Sequence, residues 1–215
     1  MRGGLLNILK GSGWKTRLLN PVDEFWDRRL GISTFGYTPA IGDKDSLDLR
    51  MHYEPTPYRV IFKILKHLGA GPDDVFVDFG SGMGRTTFAA CWAGCGRSVG
   101  VEIDPSLYRH ACMNLEKSAV SDRQIQFICT PAQRYDPSGT TIVYLFHPFG
   151  PGTLQLVVAN LQRDILDNPR DVKIAYNNPV FPETLDASGL FRKTGEWAAE
   201  GTKLPYRVAF WQTAL

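Results

Sequence analysis

Three glycines at alternate positions punctuate the segment Val75-Phe76-Val77-Asp78-Phe79-Gly80-Ser81-Gly82-Met83-Gly84-Arg85. An apolar run precedes them and another follows. Such a turn bends tightly and lets a ligand approach the peptide groups with no side chain between. A helix opening after it offers free N–H groups and the positive end of its dipole. Two carboxylates accompany the turn. Asp78 stands two residues before Gly80, and Glu102 closes a second apolar run, Ser98-Val99-Gly100-Val101. A third reactive group, His147, ends another such run within Leu145-Phe146-His147-Pro148-Phe149-Gly150. An imidazole titrates near neutral pH and can take a proton from a nucleophile. Its alternative role is to hydrogen-bond backbone at a strand end and shape a pocket.

The charges narrow the ligand. Dinucleotide sites favour G-x-G-x-x-G, whose third glycine would fall on Arg85 here. A carboxylate at Asp78 repels a pyrophosphate and suits a ligand bearing an ammonium group. S-adenosylmethionine carries that ammonium and a cationic sulfonium. Glu102, at the end of a second strand, can accept hydrogen bonds from both hydroxyls of a ribose. Nicotinamide sites share this feature, so it indicates adenosine without choosing between the two cofactors.

These groups need strands to end beside one another. After residue 70, apolar strand-like runs alternate with helical patterns, which indicates an α/β fold. Strands are expected at 75–79, 98–102, 125–129, 141–146 and 172–176. Two further strand-like runs lie between 191 and 211, with Pro205 between them. Helices are expected over 56–68, from the glycine turn to about 93, and over 105–118 and 153–166. The architecture is a doubly wound, mostly parallel seven-stranded sheet with helices on both faces. A partly helical N-terminal leader precedes it, with a helix over 22–30 and a Gly- and Pro-rich stretch over 31–42. The leader/cap segment spans residues 1–50, and the ligand-binding domain spans 51–215. Trp197, Tyr206 and Trp211 are expected in the core.

Composition sets limits. The chain has 215 residues, 43% hydrophobic and 21% charged, with a net charge of +2. That balance gives no global electrostatic case for a nucleic-acid partner. No run approaches the roughly 20 apolar residues that span a bilayer. Arg2, Lys10, Lys15 and Arg17 precede the first acid, Asp23, and read as a solvated N-terminus. Cys91, Cys95, Cys112 and Cys129 form no C-x-x-C pair, and His52, His67, His110 and His147 are scattered. No metal site is expected. Buried, reduced thiols in a cytoplasmic protein are.

The block from Val75 to Asp104 resembles the first two motifs of class I S-adenosylmethionine-dependent methyltransferases. Tyr53-Glu54-Pro55-Thr56-Pro57 and Phe25-Trp26-Asp27-Arg28-Arg29-Leu30 are similar to segments of a group of largely uncharacterised bacterial members. A weaker likeness links the arrangement to the non-SET lysine methyltransferases of histones. The resemblance implies a transferase (EC 2.1.1) with S-adenosylmethionine as cofactor and S-adenosylhomocysteine as product. It implies that Asp78, Gly80, Ser81, Gly82 and Gly84 surround the methionine end, Glu102 holds the ribose and Ile103 packs on the adenine. The loop Thr130-Pro131-Ala132-Gln133 stands where relatives carry an acid for the adenine amino group, with Gln133 as the substitute. Tyr53 and Thr56 would close over the cofactor. Phe146 and His147 occupy the end of the fourth strand, which faces the methyl group. Phe146 and Phe149 either flank an acceptor or pack in the core. Asn177 and Asn178 either orient an acceptor or make a turn.

The acceptor is not legible: a protein side-chain amine or a small molecule is expected, and nucleic acid is not. Two other readings remain. One is cofactor binding without turnover, and the other is a nicotinamide-dependent oxidoreductase.

Overall fold

The computed structural model describes residues 20–36, 38, 52–120, 124–199 and 207–214. The expected basic residues Arg2, Lys10, Lys15 and Arg17, and Tyr206, lie outside these.

The first helix, α1 (Pro21–Leu30), has strong local signals. The Asn20 side chain accepts from Val22 N, Pro21 takes the first helical position, and Gly31 closes the helix at φ 74°. Helix α2 (Tyr58–Leu68) buries Val60, Ile61, Ile64, Leu65 and Leu68 on one face. It begins two residues later than the sequence suggests, because Pro57 holds an extended conformation (ψ 139°) and serves as the N-cap.

The α/β alternation follows: β1 (Val75–Phe79), α3 (Arg85–Trp92), β2 (Arg97–Glu102), α4 (Pro105–Lys117), β3 (Ile125–Cys129), β4 (Ile142–Phe146), α5 (Pro151–Asp167) and β5 (Lys173–Asn177). A short helix α6 (Glu183–Asp186) leads into the hairpin strands β6 (Phe191–Ala198) and β7 (Arg207–Thr213). A single 3-10 turn at Ala132–Arg134 replaces a helix between β3 and β4. Neither it nor α6 has the length for a periodic pattern to show.

The seven strands lie in the order β3-β2-β1-β4-β5-β7-β6. The first five pair in parallel, and β7 runs antiparallel to both of its neighbours. The expected doubly wound, mostly parallel sheet is therefore present. Alternate residues feed two cores. Phe76, Tyr144, Ala175 and Phe210 pack with buried residues of α1–α4 on one face. Val77, Val99, Val143, Ile174 and Trp211 pack with α5 and α6 on the other. Trp211 is buried as expected, whereas Trp197 on β6 is only half-buried.

The chain winds outward from β1 through β2 to β3, then returns to β4 on the other side of β1. The reversal leaves a crevice at the C-terminal ends of β1 and β4, the usual ligand position of such sheets.

None of the four cysteines is in a disulfide. Cys91 and Cys95 are buried, and burial pushes the Cys95 thiol up to about 12. Cys112 is half-buried, and Cys129, the last residue of the edge strand β3, is exposed. The expectation of four buried thiols therefore holds for two. Among the described residues, no helix is long and apolar enough to cross a membrane.

Candidate functional site

The glycine turn sits at the mouth of the crevice. Gly80 N and Ser81 N both donate to Val101 O (2.8 and 3.1 Å), tying the turn to β2. All three glycines have positive φ: 81° at Gly80, 55° at Gly82 and 92° at Gly84. Packing demands glycine as well. A Cβ on Gly82 would lie 2.2 Å from the Tyr53 ring, and one on Gly80 would lie 2.5 Å from Pro148 Cβ. Gly84 serves a different end. It caps α3 and faces Phe127 and Phe88, away from the cleft wall.

Asp78 and Glu102 flank this turn, 3% and 6% exposed. Glu102 accepts from Gly82 N (2.7 Å) and from Asp104 N (2.9 Å), so its carboxylate is fixed against the turn. Burial pushes both carboxyls above their ordinary range. At Asp78 the negative charge of Glu102 adds to that push, and the Thr87 hydroxyl opposes it. At Glu102 the backbone N–H groups offset part of the effect. Two buried acids of like charge side by side are costly unless a cation or donor compensates them. Ser81 Oγ, also buried, has no hydrogen-bond partner among the described residues.

These groups line one open cleft of about 1180 Å³, counted out to solvent. Its roof comes from Thr38 in the leader and from His52, Tyr53, Glu54 and Thr56 at the start of the following domain. Ile103, Ala132 and Gln133 form the far wall, and Phe146, His147 and Pro148 the end nearest β4. Tyr144, the register partner of Asp78, sits on the floor. Its hydroxyl meets Thr56 Oγ1 at 2.7 Å and accepts from Asn177 Nδ2 at 3.2 Å.

The strand ends beside it are strained. His147 has φ 39° and Asn178 has φ 52°, the two non-glycine residues with positive φ among those described. Such conformations cluster where function holds the backbone. His147 is half-buried, and its Nδ1 has no hydrogen-bond partner among the described residues. Burial, with His52 nearby, holds its pKa below the usual imidazole value. That shift favours the neutral ring.

Known proteins are similar to parts of this chain and to its fold. Residues 50–121 match the family model described as histone methylation protein DOT1. The histone H3 lysine-79-specific N-methyltransferase of Caenorhabditis elegans is 38% identical over 82 residues, covering 34% of this chain and 8% of that protein. A protein-lysine N-methyltransferase of Saccharolobus islandicus is 36% identical over 72 residues, covering 33% and 45%. The chain thus spans less than half the length of either curated relative. Among solved structures, an RNA methyltransferase from Salinibacter ruber, in complex with S-adenosylhomocysteine, superposes with a TM-score of 0.56. It is 24% identical and covers 74% of this chain and 94% of that one. The protein has the class I methyltransferase fold.

Within that methyltransferase fold, eleven of the twelve residues expected around the cofactor (Tyr53, Thr56, Asp78, Gly80, Ser81, Gly82, Glu102, Ile103, Ala132, Gln133 and Phe146) line the cleft, and so does His147. Gly84 stands outside it. Asn178 lines the cleft, while Asn177 is buried and spends its amide on Tyr144. Phe149 is buried and packs in the core, and it also lines the cleft. Sequence reasoning missed Tyr144, His52, Glu54 and Arg85. The signal for Tyr144 was present: it lies two residues before Phe146 on one strand, hence on the same face.

Proposed function

We propose that the protein is an S-adenosylmethionine-dependent methyltransferase acting on a nitrogen acceptor, a protein side-chain amine or a small amine. The observation that carries this is the buried Asp78–Glu102 pair on either side of the glycine turn. Its negative charge, met by backbone N–H groups and a hydroxyl but by no side-chain cation among the described residues, fits a ligand with an ammonium group and a ribose. When bound, S-adenosylmethionine supplies a methyl group already activated by its sulfonium. Asp78 would hold the ammonium, and Gly80, Ser81 and Gly82 would lie along the methionine end. Glu102 would hold the ribose hydroxyls, and Ile103, Ala132 and Gln133 would enclose the adenine.

An aliphatic amine is protonated at neutral pH, with a pKa of about 10.4 for lysine, and must lose a proton to become a nucleophile. His147, with its pKa held down by burial and with no partner for Nδ1 among the described residues, would receive that proton. Phe146 would shape the channel beside it. Two relatives whose names specify lysine support an amine acceptor.

The test is calorimetric titration with S-adenosylmethionine and S-adenosylhomocysteine, with NAD(H) and NADP(H) as controls. Binding of the sulfur nucleotides alone is expected. Binding of the nicotinamide cofactors instead would overturn the reading.

A further inference from the structure

Arg85 is out of place by simple rules. It occupies the first position of α3, where the helix dipole disfavours a cation, and it is 4% exposed. Its partners come from α1, from Thr34 and from residues 56–58. Arg85 Nε donates to Thr34 Oγ1 (2.7 Å) and Nη1 donates to Thr56 O (3.3 Å). Nη1 lies 3.3 Å from an Asp23 oxygen and Nη2 3.5 Å from an Asp27 oxygen. The guanidinium stacks 4.9 Å from the Tyr58 ring centroid.

The contacts continue inward. Thr34 donates its hydroxyl to Asp27, and Tyr58 does the same at 2.7 Å. Asp23 accepts from Tyr58 N at 2.9 Å and so caps α2. Thr34 O accepts from Tyr53 OH at 2.6 Å, and the Tyr53 ring covers Gly82. One guanidinium thus ties α1, residues 33–36 and residues 52–57 to the helix that follows the glycine turn. The roof of the cleft hangs from that knot.

We propose that Arg85 is a positioning residue for cofactor binding. It clamps the leader so that Tyr53 and Thr56 stand over the cleft, and cofactor affinity is therefore coupled to docking of the leader. This rests on the cleft being the S-adenosylmethionine site. Coupling is reciprocal: if the docked leader raises cofactor affinity, the cofactor must tighten the leader by the same factor. A guanidinium has the planar fork these divergent partners need, and lysine does not.

The experiment compares the wild type with Arg85→Lys and Thr34→Val. Thr34 is buried and does not line the cleft, so Thr34→Val acts only through the clamp and stands in if Arg85→Lys does not fold. S-adenosylhomocysteine affinity is measured by calorimetry well below each variant's melting point. Hydrogen exchange of peptides covering 20–36 and 52–57 is followed with and without that ligand. Each variant is expected to weaken binding by about tenfold, within the usual range of coupling between sites. The ligand should slow exchange in both segments of the wild type and do so less in the variants. With any acceptor that supports turnover, KM for the cofactor should rise while kcat at saturation is kept. A folded variant with a lower melting point but unchanged affinity would reduce the knot to a structural one and overturn the proposal. So would wild-type exchange that ignores the ligand. Wild type that binds no S-adenosylhomocysteine would instead overturn the assignment of the cofactor.

Discussion

Asp78 makes a trade that can be measured. A buried carboxyl with a raised pKa destabilises the fold wherever it is ionised, because the unfolded chain holds that charge in water at less cost. The penalty begins as pH rises through the unfolded value and is complete above the folded one. Asp78→Asn removes it at nearly constant shape. This variant should therefore melt higher than the wild type at pH 8 without ligand, and should bind S-adenosylmethionine about 100-fold more weakly, the loss typical of a buried charge partner. Calorimetry and thermal melts read both. A variant that melts lower, or that binds normally, would mean the carboxylate is compensated otherwise. Affinity in the wild type should fall on acidification at a higher pH than an ordinary carboxylate would dictate, because the ammonium needs Asp78 ionised. His147 acts at the other end. Burial lowers its pKa, so it is ready to accept a proton across the neutral range and loses that capacity only below the usual imidazole value. His147→Asn should leave cofactor affinity intact and lower kcat by 10²–10⁴, the range general-base catalysis supplies. The acid limb of the kcat profile should also disappear. Activity that survives unchanged would leave His147 a shaping role only. Asp78 and Glu102 were legible from residue type and spacing because their chemistry is local to the motif. His52 and Glu54 were not, because only the fold brings residues 52–56 over the glycine turn; Arg85 was in view beside Gly84, but its partners Asp23, Asp27 and Thr34 lie more than 50 residues away in the chain.

Elements position these groups, and the glycine turn shows how tightly. Gly82 and Gly139 both have positive φ, 55° and 76°. A Cβ on Gly139 meets nothing within 4 Å, while one on Gly82 meets the Tyr53 ring at 2.2 Å. Alanine at either site pays about 1–2 kcal/mol for the left-handed backbone. Gly139→Ala should cost that and no more, with cofactor affinity unchanged. Gly82→Ala should cost more and should lose cofactor binding, because Tyr53 must move off the turn. Chemical denaturation and calorimetry of the pair separate backbone strain from roof packing, and equal losses would show that Tyr53 yields freely. The long elements were readable because their apolar residues repeat over several turns or alternate along a strand. Helix α6 and the 3-10 turn after β3 were not, being four and three residues long. The start of α2 shifted because Pro57 holds an extended conformation. The positive φ at His147 and Asn178 has no sequence signal of the kind glycine gives.

At the scale of the whole molecule, the reversal of strand order explains why the site lies where it does. Crossing from β1–β3 to β4 and β5 opens the crevice, and Thr38 with residues 52–56 roofs it. That crevice is lined by the β1 turn, the ends of β2 and β4, and residues 52–56 together, so a ligand filling it would touch all of them. The parallel core of this arrangement follows from alternating strands and helices. The placement of β7 between β5 and β6 does not, since nothing local distinguishes it from β6 beside β5. Because the ligand bridges both halves of the sheet and the roof, its binding energy should appear as stability of the entire fold. At a concentration about 100 times its dissociation constant, a ligand specific to the native state adds about 2.7 kcal/mol. For a chain of this length each kcal/mol raises Tm by about 2–4 °C, so S-adenosylhomocysteine should shift the single melting transition by roughly 5–10 °C. NAD at the same concentration should not shift it. Asp78→Asn should start from a higher Tm and lose most of the ligand's increment. A shift confined to one of two transitions would show instead that leader and sheet melt apart, and that the roof is not integral to the binding site.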